Sequence, residues 1–511
     1  MDLSRRSLLT SLAGVTGAAG ALRGMPGSVG AGTQEVQGKS GGRLNLIHIG
    51  VDTWGTHWLG CYGAHQVRTP NADTLAAKSA VFADAYPEAL PTLPVRRSLY
   101  TGRRIFPADL IVQPDDPVKI RGWHQLYAED VTMSETLRAA HYRTGFVTDV
   151  YHQFKPDKNF HRGFDSWQYI RGQESDRLES GPRKAINLAG YLHHSQTKLL
   201  NWNPADYALP AAQPALLQYL LNRHAWKTED DWLASRVFRE AAHWLDNNAG
   251  EDQPFYLHIE SFSPHEFWDP PERFYRMYMK SDYRGPRLIS PPPTTKEMSP
   301  DEIEHVRALY AGYVSFVDER LGQFLKKVEA MGLMKNTIIV FVADHGTMMG
   351  EQGQFHKGET RIRAQVTHLP LMIYHPQHQW DGKRISGFVQ HTDVMPTVLE
   401  LLGVKAPARV TGQSLVPAIQ SGRSGRDTVI TGWGEHGAVR TPEWCYIGRW
   451  SDGAPFTELY DVRRDPEELH NVADQHGDVV KQMSAVLKQH VDSGWALTRG
   501  TFAITVRGSQ G

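Results

Sequence analysis

The 511-residue chain reads as an α/β protein with a mainly parallel central sheet flanked by helices and a smaller α+β region at its C-terminal end. Three observations predict this. Two short apolar runs rich in β-branched residues, Leu44–Val51 and Thr337–Ala343, have the character of strands buried on both faces. Strand-like and helical patterns alternate over the region between them. After about Arg423 that alternation gives way to short strands, turns and one amphipathic helix.

Taken in order, residues 1–42 begin with Arg5-Arg6 ahead of a weakly apolar run from Leu8 to Ala21, and Gly, Ser and Ala dominate the remainder. This sequence of features is that of a twin-arginine export signal and linker, and it predicts a periplasmic or extracellular protein. Residues 43–422 form the expected main domain. Its strands are Leu44–Val51, Thr144–Thr148, Phe255–Phe262 and Thr337–Ala343, and its helices are Asn71–Ser79, Ser134–Ala140, Thr228–Asn247 and Asp301–Met331. A further helix of about two turns is expected after Thr92. Residues 173–227 are irregular and rich in His, Tyr, Trp and Pro, suited to a substrate-shaping insertion or a surface elaboration. Residues 423–511 form the smaller region, with strands at Thr428–Trp433, Trp444–Trp450 and Thr457–Val462. Its helix, Asp478–Val491, aligns Val480, Met483, Leu487 and Val491.

Composition narrows the function. The 55 Lys+Arg balance 56 Asp+Glu, which argues against a nucleic-acid binder held by bulk charge. No run of about 18 apolar residues offers an ordinary membrane span. Two cysteines, Cys61 and Cys445, exclude a disulfide scaffold. In parallel sheets ligands gather at the carboxyl ends of the strands, where this sequence places Asp52, His152, His265, Asp344 and His345.

The segment LPTLPVRRSLYTGRRIFP, Leu90 to Pro107, sets Pro94 two and Arg96 four residues after Thr92, then Thr101-Gly102-Arg103. VDTWGTHWLGCYG around Asp52 precedes it, and SPHEFWDPP around His265, ADHGTMMGEQGQFHKGET around Asp344-His345 and three downstream segments, HTDVMPTVLELLGV, GQSLVPAI and ELYDVRRDPEELHNVA, follow in that order. Together these pieces resemble the sulfatase family of the alkaline phosphatase superfamily over about residues 44–475. The resemblance implies an alkaline phosphatase/sulfatase-like fold and a hydrolase acting on an anionic ester of a small molecule or glycan. It implies Thr92 as nucleophile, with Arg96, His265, Lys357 and, in place of a family Lys-Trp-His segment, His152 as further catalytic residues. It also implies a divalent metal ion (Ca, Mn, Zn or Mg) held by Asp52, Thr92, Asp344 and His345. Hard cations favour such an oxygen-rich shell. A hydroxyl at a helix N-terminus lies where backbone N–H groups favour an anionic ester. His48, His57, His161 and His258 lack comparable spacing.

The departure lies at Thr92. Family sulfatases convert a cysteine or serine there to formylglycine, whose hydrate can expel sulfate by breaking its own C–O bond. A threonine ester must instead be broken by water at sulfur or phosphorus, as in the superfamily's phosphodiesterases and phosphonate hydrolases. The expected chemistry is therefore hydrolysis of a phosphodiester or phosphonate ester. A sulfuric ester hydrolase without formylglycine and a noncatalytic anion-binding protein stand as alternatives, and an envelope transferase is disfavoured by the lack of a membrane span. The family's usual Asp-Asp pair is here Asp52-Thr53, which removes one possible ligand.

Overall fold

The central sheet has eight strands. From edge to edge they are Arg384–Gln390, Ser79–Tyr86, Leu371–Tyr374, Thr337–Ala343, Asn45–Val51, Phe255–Ser261, Arg143–Thr148 and Ser166–Tyr169. Neighbours are parallel except that Leu371–Tyr374 runs antiparallel to both its partners. The computed structural model describes residues 42–112, 116, 118–181, 186–196, 215–250, 253–280 and 282–502. The export-signal reading therefore lies outside the described residues, Gly42 apart, as do residues 182–185 and 197–214 of the expected insertion.

Alternation along the strands divides the core into two layers. Ile47, Ile49, Val51, Leu257, Ile259 and Phe341 face one layer, covered by helices Ala215–Arg223, Leu233–Asn248 and Pro300–Ala330. Leu46, Tyr256, Ile338, Val340 and Val342 face the other, with Leu93 and Leu99 of helix Thr92–Thr101 and Val394, Val398 and Leu399 of helix Val394–Leu401. The 31-residue helix Pro300–Ala330 starts at a capping box in which Ser299 and Glu302 satisfy each other's backbone amides.

A second, five-stranded sheet is ordered Thr457–Asp461, Trp444–Arg449, His436–Arg440, Val429–Trp433 and Ala89–Leu90. Helix Gly477–Thr498 lays Met483, Leu487 and Val491 against Phe106, Ile430, Val439 and Leu459 of this region. Its last strand comes from the main part of the chain: Ala89 and Leu90 pair with Gly432 and Trp433, and two residues later Thr92 starts its helix.

The main strands fall within one or two residues of where the sequence places them, whereas the helix expected at Thr228–Asn247 starts at Leu233 and the one expected at Asp478–Val491 runs on to Thr498. The expected helix Asn71–Ser79 is Pro70–Ala77, and Ser79 instead opens an edge-region strand. The alanine-rich stretch from Asn71 to Ala85 carries no periodicity sharp enough to mark that change. Strands Ser166–Tyr169, Leu371–Tyr374, Arg384–Gln390 and His436–Arg440 were not anticipated, being short or interrupted by polar residues and glycine.

Candidate active site

Register builds the site. Val51 pairs with Ala343 and with Ser261 in parallel ladders, so the next residues, Asp52 and Asp344, leave adjacent strand ends side by side. The Asp344 carboxylate accepts from the amides of Thr53 at 3.0 Å and His345 at 2.6 Å. The Thr53 hydroxyl donates to Asp52 at 2.7 Å. Thr53 is buried with φ of +61°, a strained setting for a β-branched residue, and its carbonyl is held by the Tyr310 hydroxyl at 2.6 Å.

Helix Thr92–Thr101 brings in the guanidinium. It is buried along its whole length and ends at Gly102, whose φ of +61° is the left-handed cap that glycine supplies. Arg96, one turn after Thr92, donates through Nη1 to the Thr92 carbonyl at 3.0 Å and to Asp344 at 2.6 Å. Its Nη2 reaches Asp52 at 3.1 Å and its Nε reaches Glu260 at 2.9 Å. All of these groups are nearly inaccessible to solvent. Arg96, expected as a catalytic residue, ties the first turn of the helix to three carboxylates.

Glu260 escaped the sequence reading, although a carboxylate inside the apolar run FYLHIES was a visible signal. It also accepts from Gln153 at 3.0 Å and Tyr100 at 3.3 Å, and lies 3.1 Å from His258. Burial opposes its ionisation, but Arg96 and His258 outweigh that and hold its carboxyl at about 2. Asp52 moves the other way. Burial, and then the neighbouring Asp344, raise its carboxyl above the usual range.

Asp52, Asp344 and His345 each present a ligand atom within 4.8 Å of the others. The residues fit a cation on two grounds. His345 Nδ1 lies 3.1 Å from the Gly346 carbonyl, which can only accept, so Nδ1 carries the proton and Nε2 presents a lone pair. That buried Nε2 has no hydrogen-bond partner and faces carboxylate oxygens of Asp344 at 3.4 Å and Asp52 at 3.6 Å. Burial, followed by the nearby Lys357, keeps the imidazole well below its usual titration range and thus neutral. Three electron-pair donors facing one another without a shared proton call for a positive ion between them. The charges agree: three carboxylates surround one guanidinium, and a divalent cation balances the remainder.

The second group of bases adjoins this one, with the rings of His265 and His345 6.3 Å apart. His265 stacks on Phe262 at 4.1 Å, its Nδ1 is 2.7 Å from the Glu266 carbonyl, and its Nε2 is 2.6 Å from Lys357 Nζ. By the same donor logic Nδ1 carries a proton and Nε2 receives one from the ammonium, so a single proton is shared between Lys357 and His265. Lys357 arrives just after the short strand Phe355–His356 and is largely buried. Glu266 holds the group together, 3.4 Å from His265 and His356 and 3.8 Å from Lys357.

His152 joins the same network through Glu174, whose carboxylate lies 3.3 Å from His152 Nε2 and 3.5 Å from His265 Nδ1. Although burial opposes it, His152 and His265 hold this carboxyl below its usual range. Glu174 lies in the irregular segment after residue 173 and no sequence signal singled it out. Thr92 sits at the first position of its helix and is buried. His48 and His258 lie beneath the site, their rings 4.5 Å apart in edge contact. Both cysteines are free thiols, Cys61 on the early loop and Cys445 in the second sheet. Burial and Asp73 push the Cys61 thiol up to about 12.

The sulfatase family matches residues 44–404, and the C-terminal region of N-sulphoglucosamine sulphohydrolase matches residues 350–493. An N-acetylglucosamine-6-O-sulfatase of Bacteroides thetaiotaomicron is 24% identical over 520 aligned positions, covering 88% of this chain and 87% of that protein. The crystal structure of a phosphonate monoester hydrolase of Agrobacterium radiobacter superposes with a TM-score of 0.66 at 20% identity, over 88% of this chain and 96% of its own. A protein crystallised with its substrate D-glucosamine-2-N,6-O-disulfate gives 0.64 at 19% identity, over 89% and 100%.

Proposed function

Because the chain belongs to the sulfatase family, a family of ester hydrolases whose match spans residues 44–404, we propose that it cleaves anionic esters with Thr92 as covalent nucleophile, and that these are phosphodiesters or phosphonate esters. The observation that carries the reading is the placement of Thr92. It stands at the start of a buried helix whose first turn Arg96 ties to Asp52 and Asp344, which supports a role for its hydroxyl beside those carboxylates. Neither cysteine is near that position in sequence.

A divalent cation held by Asp52, Asp344 and His345, with the Thr92 hydroxyl as a further ligand, would supply Lewis-acid charge that eases loss of the hydroxyl proton and polarises an ester oxygen. The chain's own residues do the rest. Thr92 Oγ loses its proton to solvent and attacks phosphorus in line, forming the Thr92 O–P bond as the bond to the leaving oxygen breaks, and it regains a proton from solvent when the intermediate is cleaved. The leaving alkoxide takes the proton shared by Lys357 and His265. Glu174 and Glu266 keep that pair oriented. In the second half the same pair takes a proton from water, whose oxygen attacks phosphorus and frees the Thr92 hydroxyl. Arg96 fixes the first helical turn and the carboxylates and is a positioning residue in this scheme.

A sulfuric ester is the second reading, favoured by relatives named as sulfatases. A panel of aryl sulfate, phosphate monoester, phosphate diester and phosphonate ester substrates, run with Ca2+, Mn2+, Zn2+ and Mg2+, separates the readings. Turnover of phosphorus esters above the aryl sulfate supports the proposal. Sulfate turnover alone supports the second reading, and no turnover of any ester supports a binding protein. The contact of Glu174 with His152 and His265 supports a substrate-shaping role for residues 173–227. Arg5-Arg6 and the apolar run after it support export by the twin-arginine route, and a fusion of residues 1–40 to a reporter that stayed in the cytoplasm would reject it.

A further inference from the structure

Strand register sets a further carboxylate beside the leaving-group pair. Thr148 pairs with Glu260 at the ends of strands Arg143–Thr148 and Phe255–Ser261, so Asp149 and Phe262 emerge close together just past those ends. Asp149 is fully buried. Its Oδ1 accepts from the Phe262 amide at 2.6 Å and its Oδ2 from Gln173 Nε2 at 2.8 Å. Both partners donate, which is the arrangement an acceptor-only carboxylate satisfies. Burial pushes its carboxyl from 3.8 up to about 6, so at neutral pH the fold carries this charge against the cost of desolvation.

Each of the two bonds leads to His265. The Phe262 ring stacks on His265 at 4.1 Å and meets His152 edge-on at 5.9 Å, and the Phe262 carbonyl accepts from the His265 amide at 2.9 Å. Gln173 immediately precedes Glu174, whose carboxylate lies 3.5 Å from His265 Nδ1. Glu174 has φ of +40°, a left-handed backbone that a residue with a side chain keeps only where its neighbours are fixed. Gln173 is such a neighbour. It is buried, its amide is held by Asp149, and its carbonyl accepts from the Asp176 amide at 2.8 Å. One carboxylate thus clamps both groups that set the His265 ring, the aromatic face of Phe262 and the acidic edge of Glu174.

We infer that Asp149 is a positioning residue for protonation of the leaving group: by tying Phe262 to Gln173 it aims the His265 ring, whose Nε2 shares the Lys357 proton. The inference rests on the leaving-group role proposed above for Lys357 and His265, and it holds whichever ester is cleaved. Without the clamp Phe262 and Glu174 shift and the shared proton is presented at the wrong distance, while attack by Thr92 is untouched. The loss is therefore confined to leaving groups that need a proton.

The test compares kcat for alkyl and p-nitrophenyl esters of the same acid in full-length wild type, Asp149→Ala, Asp149→Asn, Gln173→Ala and Lys357→Ala, with the catalytic ion supplied and folding checked by circular dichroism. Asp149→Ala should lose roughly 30-fold on the alkyl ester and less than about threefold on the p-nitrophenyl ester. Asp149→Asn should recover most of that loss, because Oδ1 keeps the Phe262 amide and the Gln173 amide can turn its oxygen to the new Nδ2. Gln173→Ala cuts the clamp from its other side, in an irregular segment, and reports even where Asp149→Ala does not fold. It should show the same selective loss at roughly tenfold. Equal losses on the two esters, or none, overturn the inference. Where Lys357→Ala is selective and the Asp149 and Gln173 variants are not, Asp149 alone loses its role. Where Lys357→Ala is itself unselective, the leaving-group reading falls and the inference with it.

Discussion

Arg96 is the residue through which the site is assembled, because one guanidinium contacts Asp52, Asp344, Glu260 and the Thr92 carbonyl. Removing a partner from such a buried group leaves charge uncompensated. Glu260→Gln should therefore destabilise the protein by about 3 kcal/mol in denaturant unfolding. The shared proton between Lys357 and His265 predicts a different signature. Lys357→Ala should lower kcat roughly 100-fold for esters with alkyl leaving groups and much less for p-nitrophenyl esters, whose leaving group needs no proton. Equal losses for both classes, measured by steady-state kinetics, would remove the leaving-group role. At this scale the sequence was readable where a residue ended a strand or sat in a spaced motif. Asp52, Asp344, His345 and Lys357 are all of that kind. Glu174 was not readable, because its contacts with His152 and His265 are made by the fold of an irregular segment with no periodicity.

Among the elements, the loop after strand Thr337–Ala343 carries the proposed ligands Asp344 and His345 and is tightly packed. A Cβ at Gly346 would come within 2.2 Å of the Gln365 carbonyl oxygen and 3.2 Å of the Gly55 Cα, both backbone atoms that cannot step aside. Gly346→Ala should shift Asp344 and His345, lower Tm and reduce bound catalytic metal, the last two read by calorimetry and metal analysis. Native metal content in a folded variant would show that the loop has slack. The strands and long helices were legible because burial on both faces and heptad-length amphipathic stripes leave strong patterns. The antiparallel strand Leu371–Tyr374 was not, since four residues are too few to declare a direction and its partners are far away in sequence. The start of the Ser79–Tyr86 strand was hidden by the alanines that run on from the preceding helix.

For the molecule as a whole, the balance of 55 basic and 56 acidic residues leaves no bulk positive charge, so the proposed binding of an anionic ester falls to local groups such as His265, Lys357 and the proposed cation. Glu88, in the link between strands Ser79–Tyr86 and Ala89–Leu90, accepts from the amides of Ile105 and Phe106. Burial pushes the Glu88 carboxyl from 4.5 up to about 7. The folded state thus holds this proton more tightly than the unfolded chain. Its contribution to stability is greatest below pH 4.5, falls as pH rises to about 7 and is level above that. The loss is on the order of 3 kcal/mol, and Glu88→Gln should remove that part of the pH dependence in unfolding experiments at pH 5 and 8. The central claim, a covalent threonine in a sulfatase-family site, rests on one side chain. Its most direct test is kcat of Thr92→Ala on the best ester of the substrate panel, with folding verified by circular dichroism. The account predicts a loss of at least about 1,000-fold, and a rate within tenfold of wild type would contradict it.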